Sequence, residues 1–310
     1  MDDRIGLHAC ERYSCIRAGA TSSHEAPRVR RRVLMLASTI SGSTRGGEVF
    51  VSRPLPLRGV RNVRDLGGYP FTREDGSKGV TARGRFLRAG TLGGIRAEDI
   101  RALRQYGLRR VIDVRSNFEL RLWPDPFARR RRTGIDYIHI PMLDQLNSSG
   151  FGGTLPERMS NVYRELLDDD GASLRRVMEA LDGPGCSLFH CRAGKDRTGV
   201  IAMLLLGLAG VDDAHIVADY AVTQRYMGRG LEAQRLGVSL LLRKPVPRCL
   251  FESDPAEMER TLSYLRERYG SARGYLIGHA GCAPELVDRL AARLRGDASP
   301  SQGKRVSGSR

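Results

Sequence analysis

Lysine is nearly absent: of 51 cationic side chains only Lys78, Lys195, Lys244 and Lys304 are lysines. A GC-rich genome accounts for that bias, so an arginine in this chain does not by itself mark a binding surface. The six cysteines, at 10, 15, 186, 191, 249 and 282, form no CxxC pair and have no regular spacing, which argues against a disulfide framework or a zinc site. No apolar run approaches the roughly 20 residues that span a bilayer. Arg30-Arg31-Arg32 precedes an apolar stretch, Val33–Ala37, that is shorter than the about 7–15 residues of a secretory signal core. A cytoplasmic protein without a clear signal peptide is the expectation. There is also no internal repeat and no recognisable nucleic-acid module.

A composition of 41% hydrophobic and 28% charged residues over 310 positions is that of a globular protein, long enough for one large domain or two small ones. The net charge of +16 is spread along the chain. Residues 1–51 hold eight arginines against five acids, and residues 299–310 hold three cations and no acid. Roughly +10 remains in the body, which should therefore attract polyanions: nucleic acid, an anionic membrane or a phosphorylated substrate. The terminal segments lack sustained periodicity and are rich in small and basic residues. They read as disordered tails, 1–51 and 297–310, around a single domain over 52–296.

Within the body, short apolar runs alternate with amphipathic stretches. Arg110-Val-Ile-Asp-Val-Arg115, Asp136-Tyr-Ile-His-Ile-Pro141 and Cys186-Ser-Leu-Phe-His190 predict buried strands. Helical patterns fall at about 97–106, 156–168, 173–181, 198–209, 212–227, 255–269 and 283–295, the second with Pro156 near its first turn and the third with Ser173 as its cap. This alternation predicts an α/β fold with a mostly parallel central sheet flanked by helices.

The segment that carries chemistry is His190-Cys191-Arg192-Ala193-Gly194-Lys195-Asp196-Arg197-Thr198-Gly199, between the strand Ser187-Leu-Phe and the apolar helix that begins at Val200. In open α/β sheets ligands bind where a loop leaves the carboxyl end of a strand, and successive N–H groups running into a helix start cradle an anion there. Five residues separate Cys191 from Arg197, so the loop can curl until thiol and guanidinium face one phosphate, with Gly194 relieving bulk at the turn. A thiol near cations or a helix N-terminus drops from about 8.5 to roughly 3.5–7.5, making Cys191 a thiolate nucleophile for phosphorus. Arg197 supplies a planar fork for two equatorial oxygens, Thr198 can donate to the sulfur, and His190 orders the loop. The competing reading, a buried inert cysteine and a helix-surface arginine, needs all these residue types to fall into register by accident.

This segment resembles the His-Cys-x5-Arg-Thr signature of cysteine-dependent tyrosine phosphatases. Its fuller form resembles that of the atypical bacterial and fungal tyrosine/serine and phosphoinositide phosphatases. Arg61-Asn-Val-Arg-Asp-Leu-Gly-Gly-Tyr69, Phe86-Leu-Arg-Ala-Gly90, Val111-Ile-Asp-Val-Arg-Ser116 with Glu119, and Asp219-Tyr-Ala-Val-Thr223 follow in that group's order. The resemblance implies a tyrosine-phosphatase-like fold and a metal-free, cofactor-free hydrolase. Its substrate would be phosphotyrosine and also phosphoserine/threonine, or alternatively a phosphoinositide. It further implies a phosphate-binding loop made of Arg192, Ala193, Gly194, Lys195, Asp196 and Arg197.

The leaving oxygen needs a proton, normally from a carboxylic acid. Asp196 ranks first, because the narrower group carries an acid there. Asp144, on the loop after strand 136–141, ranks second. Trp123-Pro-Asp125 spells the acid loop of larger tyrosine phosphatases but precedes that strand, so Asp125 reads as a loop acid and ranks third. For each of the three, a solvated or capping carboxylate is the competing reading. Gly-Lys at 194–195 resembles enzymes acting on phosphoinositides, where such a cation meets extra phosphates. Arg88 and Arg115 either line the site or pair with Asp65 or Asp113. Arg129-Arg-Arg-Arg132 suits peripheral contact with an anionic membrane as well as it suits plain solubility. Cys186 points to the other strand face from Cys191, which leaves little for a protective disulfide. A phosphorylated protein or a phosphoinositide is thus the expected partner, with no specific nucleic acid and no motif that sets an oligomeric state. A non-catalytic polyanion-binding protein is the remaining alternative.

Overall fold

A computed structural model of the chain describes residues 49–129, 134–143, 156–243 and 248–297. The expected tails lie outside these residues, apart from 49–51 and 297, and so do Asp144 and Arg130 to Arg132.

The α/β architecture is as expected. A five-stranded sheet has the order β1 (Arg64–Asp65), β4 (Phe86–Ala89), β7 (Cys186–His190), β5 (Leu108–Asp113), β6 (Asp136–His139). β4, β7, β5 and β6 run parallel, and only the edge strand β1 is antiparallel to its neighbour. A separate hairpin joins β2 (Pro70–Thr72) to β3 (Lys78–Val80). β7 is buried at all five positions, as a central parallel strand covered on both faces must be. Its register sets Ala89 and Asp113 on either side of His190. Three chain segments therefore leave the sheet side by side at its carboxyl edge: Gly90-Thr91, Val114-Arg115-Ser116 and Cys191 onward.

Two apolar clusters cover the two faces. Cys186 and Leu188 belong to one, with Leu87, Val111 and helix α1 (Ala97–Tyr106). Phe189 and Cys191 belong to the other, with the remaining helices. Cys186 and Cys191 thus do lie on opposite faces. Helix α2 (Asn117–Leu122) follows β5. Helices α3 (Met159–Asp169) and α4 (Gly171–Leu181) then lead to β7, and α5 (Asp196–Ala209) leaves it. α5 is apolar on every side and buried almost throughout, the pattern of a helix at the centre of a core. Around it pack α6 (Asp213–Ala221), α7 (Thr223–Leu242), α8 (Pro255–Tyr269) and α9 (Pro284–Arg295). Among the described residues no helix is long and apolar enough to cross a membrane.

Several boundaries differ from those read in sequence. Pro156 precedes α3 instead of opening it. Ser173 lies inside α4, where its hydroxyl donates to Pro141 O at 3.4 Å, and Asp170 stands at the junction of α3 and α4 and accepts from Leu143 N at 2.7 Å. The stretch read as one helix over 212–227 is two, separated by Val222, and the second continues to Leu242.

Candidate active site

The loop after β7 is held open by its carbonyls. Thr91 N donates to Arg192 O at 2.9 Å, Asn62 Nδ2 to Ala193 O and Gly194 O at 3.3 Å each, and Arg88 Nη2 to Gly194 O at 2.8 Å. These bonds tie down three loop carbonyls next to the N-terminus of α5, where an anion is favoured. Gly194 is required twice over. Its φ is +69°, and a Cβ there would lie 2.4 Å from Ala89 O. Gly90 is similarly tight, since a Cβ would sit 3.2 Å from Ala193 O.

Beneath the loop lies a buried ionic network. The Asp219 carboxylate accepts from Tyr69 Oη at 2.8 Å, pairs with Arg64 at 3.3 Å and pairs with Arg88. Arg64 also donates to Asp219 O at 2.7 Å and to Asn62 Oδ1. Burial opposes the charge of Asp219, yet Arg88 and Arg64 outweigh it and hold the carboxyl below its ordinary range. The β1–β4 register sets Arg64 opposite Arg88, so one acid serves both cations. Arg88 is thus an ion-pair partner, but of Asp219. Asp65 instead accepts from Gly67 N and Gly84 N at 2.7 Å each and from the Tyr106 hydroxyl.

Arg197 is aimed by α2. Ser116 caps that helix, accepting from Glu119 N at 3.2 Å while Ser116 N donates to Glu119 Oε2 at 2.9 Å, a reciprocal capping box. The same Glu119 carboxylate accepts from Arg197 Nη1 at 2.7 Å and Nη2 at 3.0 Å, and Arg197 Nη1 reaches Val114 O at 3.3 Å. Two hydrogen bonds to one carboxylate fix the plane of the guanidinium. In the sequence Glu119 stood out only through the family resemblance, with nothing to link it to Arg197.

Cys191 is 2% exposed and Arg197 is 8% exposed. Thr198 Oγ1 is buried and has no hydrogen-bond partner among the described residues. His190 is fully buried, with Nδ1 3.2 Å from Cys191 O and Nε2 3.4 Å from Asp125 Oδ2, an orienting position at the base of the loop.

Arg115 does not line an open site. It is buried against Asp113 at 2.6 Å and Asp125 at 3.4 Å, and donates to Trp123 O at 2.9 Å. Asp125 is fully buried and accepts from Phe127 N at 2.8 Å. The sequence read it as a loop acid, and it is enclosed by Arg115 and His190. Asp113, Asp125 and His190 lie close enough to share a metal ion, but the Arg115 guanidinium already fills that position and would repel a second cation. At the rim, the Arg192 guanidinium sits 4.2 Å from the Trp123 ring centroid, and Trp123 is 45% exposed.

Lys195 does not project into solvent. It is 1% exposed, with Nζ 2.8 Å from Asp196 Oδ1 and 3.1 Å from Glu252 O. Burial opposes its charge, but Asp196, Tyr220 and Cys191 outweigh that and raise it above the ordinary lysine value. Asp196 keeps partial exposure and also accepts from Tyr163 Oη at 2.6 Å.

A cysteine and a clamped arginine in one loop at a helix N-terminus make a candidate anion site, and a phosphate-ester enzyme is the class that such a site points to. A model of the tyrosine phosphatase family matches residues 55–296, and the chain belongs to that family, with the motifs of its atypical branch. A tyrosine-protein phosphatase of Nostoc commune is 29% identical over 239 residues, 71% of this chain and 81% of its own. The triple specificity protein phosphatase PtpB of Mycobacterium tuberculosis is 30% identical over 191 residues, 51% of this chain and 68% of its own. The crystal structure of TpbA from P. aeruginosa aligns at a TM-score of 0.32 and 13% identity, over 69% of this chain and 97% of that chain.

Proposed function

We propose that residues 52–296 form a cysteine-dependent phosphatase domain that hydrolyses phosphotyrosine, and also phosphoserine/threonine, through a cysteinyl-phosphate. The observation that carries this reading is the bidentate clamp of Glu119 on Arg197, in the loop that Cys191 opens at the end of the central strand. Cys191 Sγ attacks phosphorus in line as the ester P–O bond breaks. The edge of Arg197 turned away from Glu119 holds equatorial oxygens that gain charge in the transition state. The unpartnered hydroxyl of Thr198 supports a role in stabilising the sulfur as S–P cleaves, since a buried unpaired hydroxyl costs about 1–3 kcal/mol until a partner arrives.

Asp196 is the general acid in this scheme. Its carboxyl is on the loop itself and partly exposed, whereas Asp125 is sealed beneath it. Asp144 remains second, outside the described residues. Asp196 protonates the leaving oxygen, and the resulting carboxylate takes a proton from the water that cleaves the S–P bond. The aromatic Trp123 and the Arg192 beside it suit an aryl phosphate at the rim.

Phosphoinositide hydrolysis is the second reading, which the name of the mycobacterial relative leaves open through its triple specificity. Lys195 would serve it only by leaving Asp196 and Glu252 O, so phosphotyrosine is favoured. Exposed Phe118, Leu122 and Trp123 beside Arg121 would serve contact with an anionic membrane.

Replacing Cys191 by Ser should abolish turnover of phosphotyrosine and leave its binding measurable, and activity retained in that variant rejects the scheme. Parallel assays on phosphopeptides and phosphoinositides rank the two substrate readings.

A further inference from the structure

A buried pair of tyrosines stands behind Asp196, and neither belongs to the phosphate loop. Tyr163, from the middle of α3, is fully buried, and its hydroxyl lies 2.6 Å from Asp196 Oδ1 and 2.7 Å from the hydroxyl of Tyr220 on α6. A phenol has one proton. Tyr163 donates it to the carboxylate, so its oxygen accepts from Tyr220, and the chain runs Tyr220 Oη to Tyr163 Oη to Asp196 Oδ1. The rings meet edge to face at 6.0 Å. Both phenols stay protonated under working conditions: burial, Asp196 and Tyr220 push Tyr163 well above the ordinary tyrosine value, and burial pushes Tyr220 up to about 12.

Lys195 Nζ donates to the same Oδ1. Two donors on one oxygen stop the carboxyl from rotating and assign the proton of the acid form to Oδ2. We infer that Tyr163, supported by Tyr220, is a positioning residue that aims the Asp196 carboxyl at the leaving oxygen of the substrate. The inference rests on the reading of Asp196 as the general acid. During the first step the Oδ2 proton passes to the departing oxygen as the P–O bond breaks, and the Tyr163 proton stays on its own oxygen. The charged and titratable groups around the chain are Lys195 and Asp196 on the loop, Tyr220 on α6 and Glu257 on α8.

The test compares kcat/KM for a poor leaving group, phenyl phosphate, with that for an activated one, 2,4-dinitrophenyl phosphate, which leaves without help. Tyr163→Phe keeps the buried ring and removes the donor. It should lower kcat/KM about ten- to a hundredfold for phenyl phosphate and leave the dinitrophenyl ester within about twofold, because only the acid-dependent reaction feels the aim of the carboxyl. KM for phenyl phosphate should stay near wild type. Tyr220→Phe should show the same pattern more weakly, and carries the test if Tyr163→Phe folds poorly. Asp196→Asn should be the steepest of the three. Asp196→Asn steep and Tyr163→Phe equally slowed on both esters overturns the positioning role alone. Asp196→Asn showing no leaving-group dependence overturns the acid reading and the inference together.

Discussion

Asp219 ties together the two buried arginines of β1 and β4. It is 1% exposed and is the carboxylate partner of Arg64 and Arg88, themselves 0% and 1% exposed. Asp219→Asn keeps the shape and one acceptor oxygen while stranding two guanidiniums out of water. Removing one partner of a buried ion pair costs about 3–5 kcal/mol; the retained amide oxygen places this variant near 3 kcal/mol. For a domain of this size that lowers the melting temperature by roughly 6–12 °C. Urea unfolding at neutral pH measures it directly, through a lower midpoint at unchanged slope. The pH dependence gives a second check. The Asp219 pKa is depressed in the folded state, so its contribution is complete above the unfolded value of about 3.9 and is lost as pH falls through the folded one. The gap between wild type and Asp219→Asn should therefore close in acid. Activity should fall too, because Arg88 would no longer be fixed against Gly194 O. A variant within about 0.5 kcal/mol of wild type at neutral pH would refute this account of the network.

Gly194→Ala places a methyl 2.4 Å from Ala89 O at φ +69°, a combination of strain and overlap costing more than about 1–3 kcal/mol; kcat/KM should drop at least tenfold, read by steady-state kinetics. Glu119→Gln removes one charged partner of Arg197 and weakens the cap of α2. It should reduce kcat about tenfold and stability by about 1 kcal/mol, measured by kinetics and thermal melting on the same sample. Asp113 is likewise held well below its ordinary range: burial opposes its charge, but His190 and Arg115 outweigh it. Asp113→Asn should accordingly lose stability at neutral pH and converge with wild type in acid, which a pH series of melting temperatures resolves.

Contiguity decides what could be read from the sequence. The phosphate loop is one unbroken segment at a strand-to-helix junction, so its residue types and spacing stand together in the chain. β5, β6 and β7 are short apolar runs, and α1, α8 and α9 have strong helical periodicity; all six emerge within about two residues of their expected bounds. β1 and β4 were hidden because Arg64 and Arg88 look like surface residues until Asp219, far along the chain, buries them. The length of α7 was hidden by Gly228, Gly230 and Gly237, which lower helix propensity by about 1 kcal/mol each. Glu119 and Tyr163 act across the fold. The helix after Ser116 was not expected from the sequence, nothing local tells of the hold of Glu119 on Arg197, and no local signal links Tyr163 to Asp196. Asp125 was rightly set apart from the acid loop that Trp-Pro-Asp spells, but the string says nothing of the Arg115 and His190 side chains that enclose it.

The central proposal is a covalent bond between one sulfur and phosphorus. Rapid acid quench of the enzyme during turnover of a ³²P-labelled aryl phosphate, followed by peptide mapping, looks for that bond itself. The proposal predicts label on the peptide that contains Cys191, absent in Cys191→Ser and accumulating in a variant slowed at water attack. Label on a different residue, or turnover with no protein-bound phosphate at any quench time, contradicts it.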